Sequence, residues 1–144
     1  MIDRFNLDSE ITSFAGHLMP SRRRELMRAV ANYLKRVNTR RMTAEEGPDG
    51  QPWEARRNPP KNGRPSKMMT GLKKNLKTMP GTGTAEIGFK GQAAKIATIH
   101  HRGLLAEVSP FGPKVQYEMR QLIGVTGGDL DEIGRIILEN AKLT

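Results

Sequence analysis

Apolar residues recur at the spacing of an α-helix in three parts of this chain. The strongest pattern predicts a helix over about 21–41, with Ser21 as its N-cap. The apolar side chains of this helix fall on one face: Leu26, Val30, Tyr33, Leu34 and Val37. A shorter pattern predicts a helix over about 3–17, so that the two would form an N-terminal helical hairpin. Near the C-terminus, Thr126 followed by Asp129 resembles a capping box and predicts a final helix.

Other segments carry patterns typical of strands. Residues 84–90 alternate as a half-buried strand does. Residues 104–108 and 114–120 flank the sequence Ser-Pro-Phe-Gly-Pro, which predicts a β-hairpin with a five-residue loop. Residues 93–101 are ambiguous but fit a helix that ends at Gly103. A further short helix is predicted over about 66–76.

Together these elements predict an α+β fold. We expect a small, mostly antiparallel sheet with a β-hairpin, flanked by the N-terminal helical hairpin and the C-terminal helix. The length of 144 residues suits one domain. Residues 43–66 are rich in Gly, Pro, Asn and Asp, which predicts a flexible or extended basic loop.

The single Trp lies in that loop. Pro48, Asp49 and Gly50 suit the second, third and fourth positions of a β-turn, and Pro52 keeps the chain extended before Trp53. A Trp presented so rigidly is expected to be buried, either as a cap on the core of its own chain or as an anchor in another subunit.

Charge and composition narrow the class of protein. The chain has 24 Lys and Arg against 15 Asp and Glu, so a net charge of +9 will attract polyanions or acidic partners. Residues 55–85 contain no carboxylate. The lack of Cys excludes a disulfide framework and Cys-ligated metal sites. No signal peptide is recognisable and no apolar run is long enough to span a membrane, so no membrane partner is expected.

Candidate chemistry is sparse. His100 and His101 are adjacent, so on a helix they point about 100° apart and do not readily share a metal ion. The serines show no nucleophile-elbow pattern, and Gly124–Gly128 resembles a phosphate-binding loop in composition alone. We therefore expect no enzyme activity, no metal site and no cofactor.

Four stretches in register resemble the phage virion morphogenesis, or tail completion, proteins of contractile-tailed phages. They are the basic helix that begins with PSRRR at 20–24, GPDGQPW at 47–53, AKIATIHHRGL at 94–104, and VQYEMRQLIG at 115–124 with the TGGD cap behind it. Together they extend over nearly the whole chain.

The resemblance implies a non-enzymatic virion protein that is assembled in the host cytoplasm and acts at the neck or tail end, in tail completion and head–tail joining. It further implies a homo-oligomeric ring, expected to be hexameric. Its partners would be the proteins that terminate the tail tube or sheath, or the head–tail connector, with genomic DNA possible in the lumen. The interface candidates are Trp53, Arg56, Arg57, Arg64, Phe111, Tyr117 and Arg120.

The alternative is a basic nucleic-acid-binding module. The net charge and the carboxylate-free segment favour it. Against it, the aromatic residues are few and do not alternate with the basic ones, and no known nucleic-acid-binding motif is present.

Overall fold

The computed structural model describes residues 2–6, 20–56, 67–81, 83–107 and 109–141. Within these ranges lie five strands and four helices. The strands are β1 (Ile2–Asn6), β2 (Lys77–Pro80), β3 (Thr84–Gly88), β4 (Leu105–Glu107) and β5 (Lys114–Gln116). The helices are α1 (Pro20–Thr43), α2 (Thr70–Lys73), α3 (Gly91–Arg102) and α4 (Gly127–Ala141). The predicted α+β class is confirmed.

A three-stranded antiparallel sheet is ordered β1-β3-β2. Its central strand β3 alternates as predicted, with Ala85 and Ile87 fully buried. Phe5 of β1 and Pro80 of β2 both lie opposite Ala85. Because β2 is an edge strand, Pro80 removes no hydrogen bond from the interior of the sheet.

The predicted N-terminal helix over about 3–17 is wrong at its start, because Ile2–Asn6 is strand β1. Five residues are too few to separate a helical period from a strand period, and pairing with the distant β3 decides the conformation. Residues 7–19 lie outside the described part of the chain.

The long helix α1 confirms the strongest prediction and organises the core, although it begins at Pro20, so that Ser21 lies in its first turn and is not the predicted N-cap. It packs against β2 and β3, and α4 packs against it. Its apolar face is almost completely buried, through Leu26, Met27, Val30, Ala31 and Leu34. None of the helices in the described ranges is long and apolar enough to cross a membrane.

The remaining helices differ in how well they were predicted. Helix α3 ends at Gly103, which has a φ of 64° and donates its N–H to the carbonyl of Ile99, as a left-handed C-cap requires. The helix predicted over about 66–76 is shorter, covering Thr70–Lys73, and the strand that follows it was not predicted. Leu76 is buried, but it lies in the connection between the two.

Candidate functional site

The Trp53 loop has the turn that its sequence predicts. Gly50 donates its N–H to the carbonyl of Gly47 at 3.0 Å, which places Pro48, Asp49 and Gly50 in their expected turn positions. The backbone N–H of Trp53 donates to the carbonyl of Glu45 at 2.8 Å. The rest of the predicted loop, residues 57–66, lies outside the described residues.

The Trp53 side chain lies in the core of its own chain and is 9% exposed. The indole Nε1 donates to the carbonyl of Gln121 at 2.9 Å, so its polar atom is satisfied internally. The structure thus favours the first of the two environments expected for Trp53. Its role in an interface stays a prediction.

Arg120 holds the same loop from the other side. Its side chain is 7% exposed, Nε donates to the carbonyl of Glu54 at 3.0 Å, and Nη2 donates to that of Ala55 at 3.2 Å. The backbone N–H of Arg120 donates to the carbonyl of His100 at 2.8 Å. We call this meeting of residues 53–56, the end of α3 and residues 117–122 the Arg120 junction.

The two histidines at the end of α3 contribute to the Arg120 junction in different ways. His101 Nδ1 accepts the N–H of Leu122 at 3.1 Å. The His100 ring meets the Tyr117 ring edge to face at 5.0 Å, and burial, with a smaller contribution from the Arg120 cation, lowers the pKa of His100. Among the described residues, no group of three or more potential ligands could hold a metal ion.

The predicted β-hairpin is confirmed, with a second strand that ends at Gln116 rather than at 120, and its base lies against this junction. Ala106 of β4 pairs with Val115 of β5, and Tyr117 donates its N–H to the carbonyl of Leu104 at 3.1 Å. Tyr117 itself is half-buried. The base of the hairpin is therefore fixed to the end of α3 and, through Arg120, to the Trp53 loop.

Phe111 stands at the tip of the hairpin with its side chain fully exposed. It has a φ of 61°, a left-handed conformation that is uncommon for residues other than glycine. Three further exposed apolar side chains lie toward the base, with Leu105 59% and Met119 64% exposed and Leu104 less so. These four residues, Leu104, Leu105, Phe111 and Met119, are called the hairpin surface below.

Of the basic interface candidates Arg56, Arg57 and Arg64, the structure describes Arg56. Arg56 is exposed, and its Nη2 donates to the carbonyl of Lys67 at 3.3 Å. Arg57 and Arg64 lie outside the described residues. The interface role of all three stays a prediction.

Sequence reasoning missed a polar cluster that joins α1 to α4. Asp129 is 2% exposed; its Oδ1 accepts Arg41 Nη2 at 2.8 Å and Tyr33 Oη at 3.0 Å, while its Oδ2 accepts the N–H of Thr126 at 3.0 Å. Burial alone would raise the pKa of Asp129, but these hydrogen bonds and the nearby guanidinium lower it below its ordinary value. The capping box of Thr126 and Asp129 was visible in the sequence. Arg41, which also bonds to the Asp129 carboxylate, lies 88 residues away and gave no local signal.

Comparison with known proteins identifies relatives of the whole chain. The model of the phage virion morphogenesis family matches residues 6–142. Tail completion protein S of Escherichia phage P2 is 32% identical over 143 residues, which cover 94% of this chain and 95% of that protein. No solved structure matches the chain.

Proposed function

Because the chain belongs to the phage virion morphogenesis family, we propose that it is a non-enzymatic structural protein that completes the phage tail. The observation that carries this proposal is the similarity to a tail completion protein over nearly the full length of both chains. Because the match extends over nearly the whole of both chains, the similarity is one of the entire fold and not of a single shared segment.

We further propose that the protein acts as a ring subunit at the head-proximal end of a contractile tail, where it joins the tail to the head. Its neighbours there would be the tube or sheath terminator or the head–tail connector. In such a ring each subunit contacts the next head to tail, so one surface must complement a different surface of the same chain. A subunit of this kind needs an exposed element that can reach its neighbour.

The hairpin surface has the properties of that element. A two-stranded hairpin alone is marginally stable in water, and this one carries apolar side chains into solvent from its base to its tip. An exposed aromatic ring supplies much contact area at little entropic cost when it is buried in a partner. Phe111 is therefore the proposed anchor of the subunit contact.

Trp53 and Arg120 support this contact from inside the chain. Their polar atoms already bond to carbonyl groups of the same molecule. They fix the position of the hairpin base, and so they would affect assembly through the direction in which the hairpin projects. Tyr117, packed on His100, belongs to the same support.

The proposal is tested by complementing a phage whose own copy of this gene is disrupted. We expect tails that fail to join heads in the absence of the protein, and recovery of infectious particles with the wild-type chain. Phe111→Asn should fold normally, because Asn tolerates the left-handed conformation. It should restore few particles, because losing a buried aromatic anchor weakens a contact by roughly 2 kcal/mol or more.

The matched control is Leu138→Gln, which removes an apolar side chain of 59% exposure from α4. This variant should complement as well as the wild type. Full complementation by Phe111→Asn would contradict the role of the hairpin. Tails that join heads normally in the complete absence of the chain would contradict tail completion itself.

A further inference from the structure

Helix α1 presents a strongly basic face to solvent. The helix carries eight Lys and Arg side chains and a single carboxylate, that of Glu25. Five of the cations are exposed: Arg24, Arg28, Lys35, Arg36 and Arg40. We call these five residues the α1 basic face.

The cations of this face follow the helix axis in order. Arg24, Arg28 and Lys35 are spaced i, i+4 and i+11, which puts them on one line along the helix. Arg36 and Arg40 form a second i, i+4 pair about a third of a turn around the helix axis. From Arg24 to Arg40 the face extends about 24 Å, at 1.5 Å per residue.

The charge of the α1 basic face is not neutralised by the described parts of the chain. Two cations of α1 outside the face have carboxylate partners: Arg22 pairs with Glu25 and Arg41 pairs with Asp129. No ion pair within the described residues involves Arg24, Arg28 or Lys35. At the end of the helix, Lys73 reaches Thr43 at 2.9 Å and adds a further cation.

The composition of the face distinguishes between two kinds of acidic partner. Protein partners are usually held by a few buried apolar or aromatic anchors, and none of the large exposed apolar side chains of the described residues lies on α1. A phosphate backbone needs no such anchor. Four of the five cations are arginines, whose planar fork matches phosphate oxygens in two parallel hydrogen bonds.

We propose that the α1 basic face binds the phosphate backbone of double-stranded DNA without reading its sequence. A line of cations along a helix can follow the regular charge of a duplex, which carries one negative charge per about 1.7 Å of its axis. This site differs from the basic loop singled out in the sequence and goes beyond tail completion.

The test compares two variants of the purified full-length chain that lose the same charge. The first is Arg24→Gln/Arg28→Gln/Lys35→Gln on the α1 basic face. The second is Lys90→Gln/Lys95→Gln/Lys114→Gln, at three exposed positions outside it. Binding to a short labelled DNA duplex is measured by fluorescence anisotropy over a salt series, with thermal unfolding as the check on folding.

The α1 variant should bind DNA about tenfold or more weakly, and the slope of log affinity against log salt should fall in magnitude by about 2 to 3, or 0.9 per lost phosphate contact. In the control variant, both the affinity for DNA and the salt slope should fall much less. Equal losses in the two variants would show that net charge alone attracts DNA and would overturn the proposal.

A second arm replaces the duplex with polyglutamate of equal total charge. Tighter binding to DNA supports phosphate recognition. Binding to polyglutamate that is as tight and equally sensitive to the α1 substitutions would assign the face to an acidic protein and overturn the proposal. Because both arms use the isolated chain, their failure would leave the proposed role in tail completion unaffected.

Discussion

At the scale of single residues, Gly103 joins the two parts of the candidate site. It ends α3 in a left-handed conformation and leads directly into the hairpin. A Cβ atom at this position would stand 2.8 Å from the backbone nitrogen of Met119, closer than real Cβ atoms come to other atoms. The close approach brings residues 117–122 against the end of α3, and so it underlies the Arg120 junction.

Gly103→Ala is therefore expected to lower the free energy of unfolding by at least about 1–2 kcal/mol from backbone strain, with a further cost from the clash. The matched control is Gly134→Ala within α4, where an added Cβ meets nothing within 4 Å. That substitution should stabilise the protein by about 0.5–1 kcal/mol, because Ala is the better helix former. Denaturant unfolding measures both. Equal effects would show that position 103 carries no special constraint.

Trp53 shows how far the sequence predicts a site residue. The turn at 47–50 and the burial of the indole follow from local signals, namely the Pro and Gly positions around it. The acceptor of the indole N–H, Gln121, lies 68 residues away and is brought there by tertiary packing. No local pattern identifies such a partner. The same limit explains why Arg120 was expected at a surface and is buried instead.

At the scale of secondary structure elements, the accuracy of prediction follows the range of the stabilising interactions. Helices α1, α3 and α4 and the hairpin were predicted because periodicity, caps and turn residues are local. Strand β1 was predicted as helix and β2 was missed. Strand β1 gains its hydrogen bonds by pairing with β3, about eighty residues away in sequence. Strand β2 is an exception to this trend, because it pairs with the strand that directly follows it in the chain.

Helices α1 and α4 are joined by the ion pair of Arg41, which is largely buried, and Asp129, which is fully buried. Removing one member of such a pair leaves the other charge buried without compensation. Asp129→Asn should therefore destabilise the protein by roughly 3 kcal/mol. The matched control is Glu132→Gln, which breaks the exposed pair with Arg135 on the same helix and should cost about 0.5 kcal/mol or less. Denaturant midpoints that fall equally in both variants would contradict the importance of the buried pair.

The same pair gives a defined dependence of stability on pH. The pKa of Asp129 is lowered in the folded chain from an ordinary value of 3.8, so as the pH falls the unfolded state takes up this proton first. The stabilisation from Asp129 is present above pH 3.8 and is lost as the pH falls through the folded pKa. The stability of Asp129→Asn should therefore decline less than that of the wild type in this acidic range.

At the scale of the whole molecule, the basic surface and the exposed apolar surface lie on different secondary structure elements. The cations of the α1 basic face lie on the longest helix, whereas the exposed apolar side chains lie on α3, on the hairpin and on α4. Apolar surface drives association in all salt conditions, and exposed charge acts over about 10 Å at 0.1 M salt. A subunit with these two surfaces can hold its neighbours through one and a polyanion through the other.

If the hairpin surface makes the contact between subunits, association should depend on Phe111 and depend little on salt. We expect six copies of the wild-type chain on each tail, from quantitative mass spectrometry of tails completed in vitro, and the same number in high salt. Phe111→Asn should be found on tails at a small fraction of this number, whereas Arg24→Gln/Arg28→Gln/Lys35→Gln should keep it. Light scattering of the free chain measures its oligomeric state and so distinguishes two kinds of contact. A head-to-tail contact adds subunits until a ring closes, whereas a twofold contact stops at a dimer. A stable dimer, or full occupancy of tails by Phe111→Asn, would exclude a ring built through the hairpin.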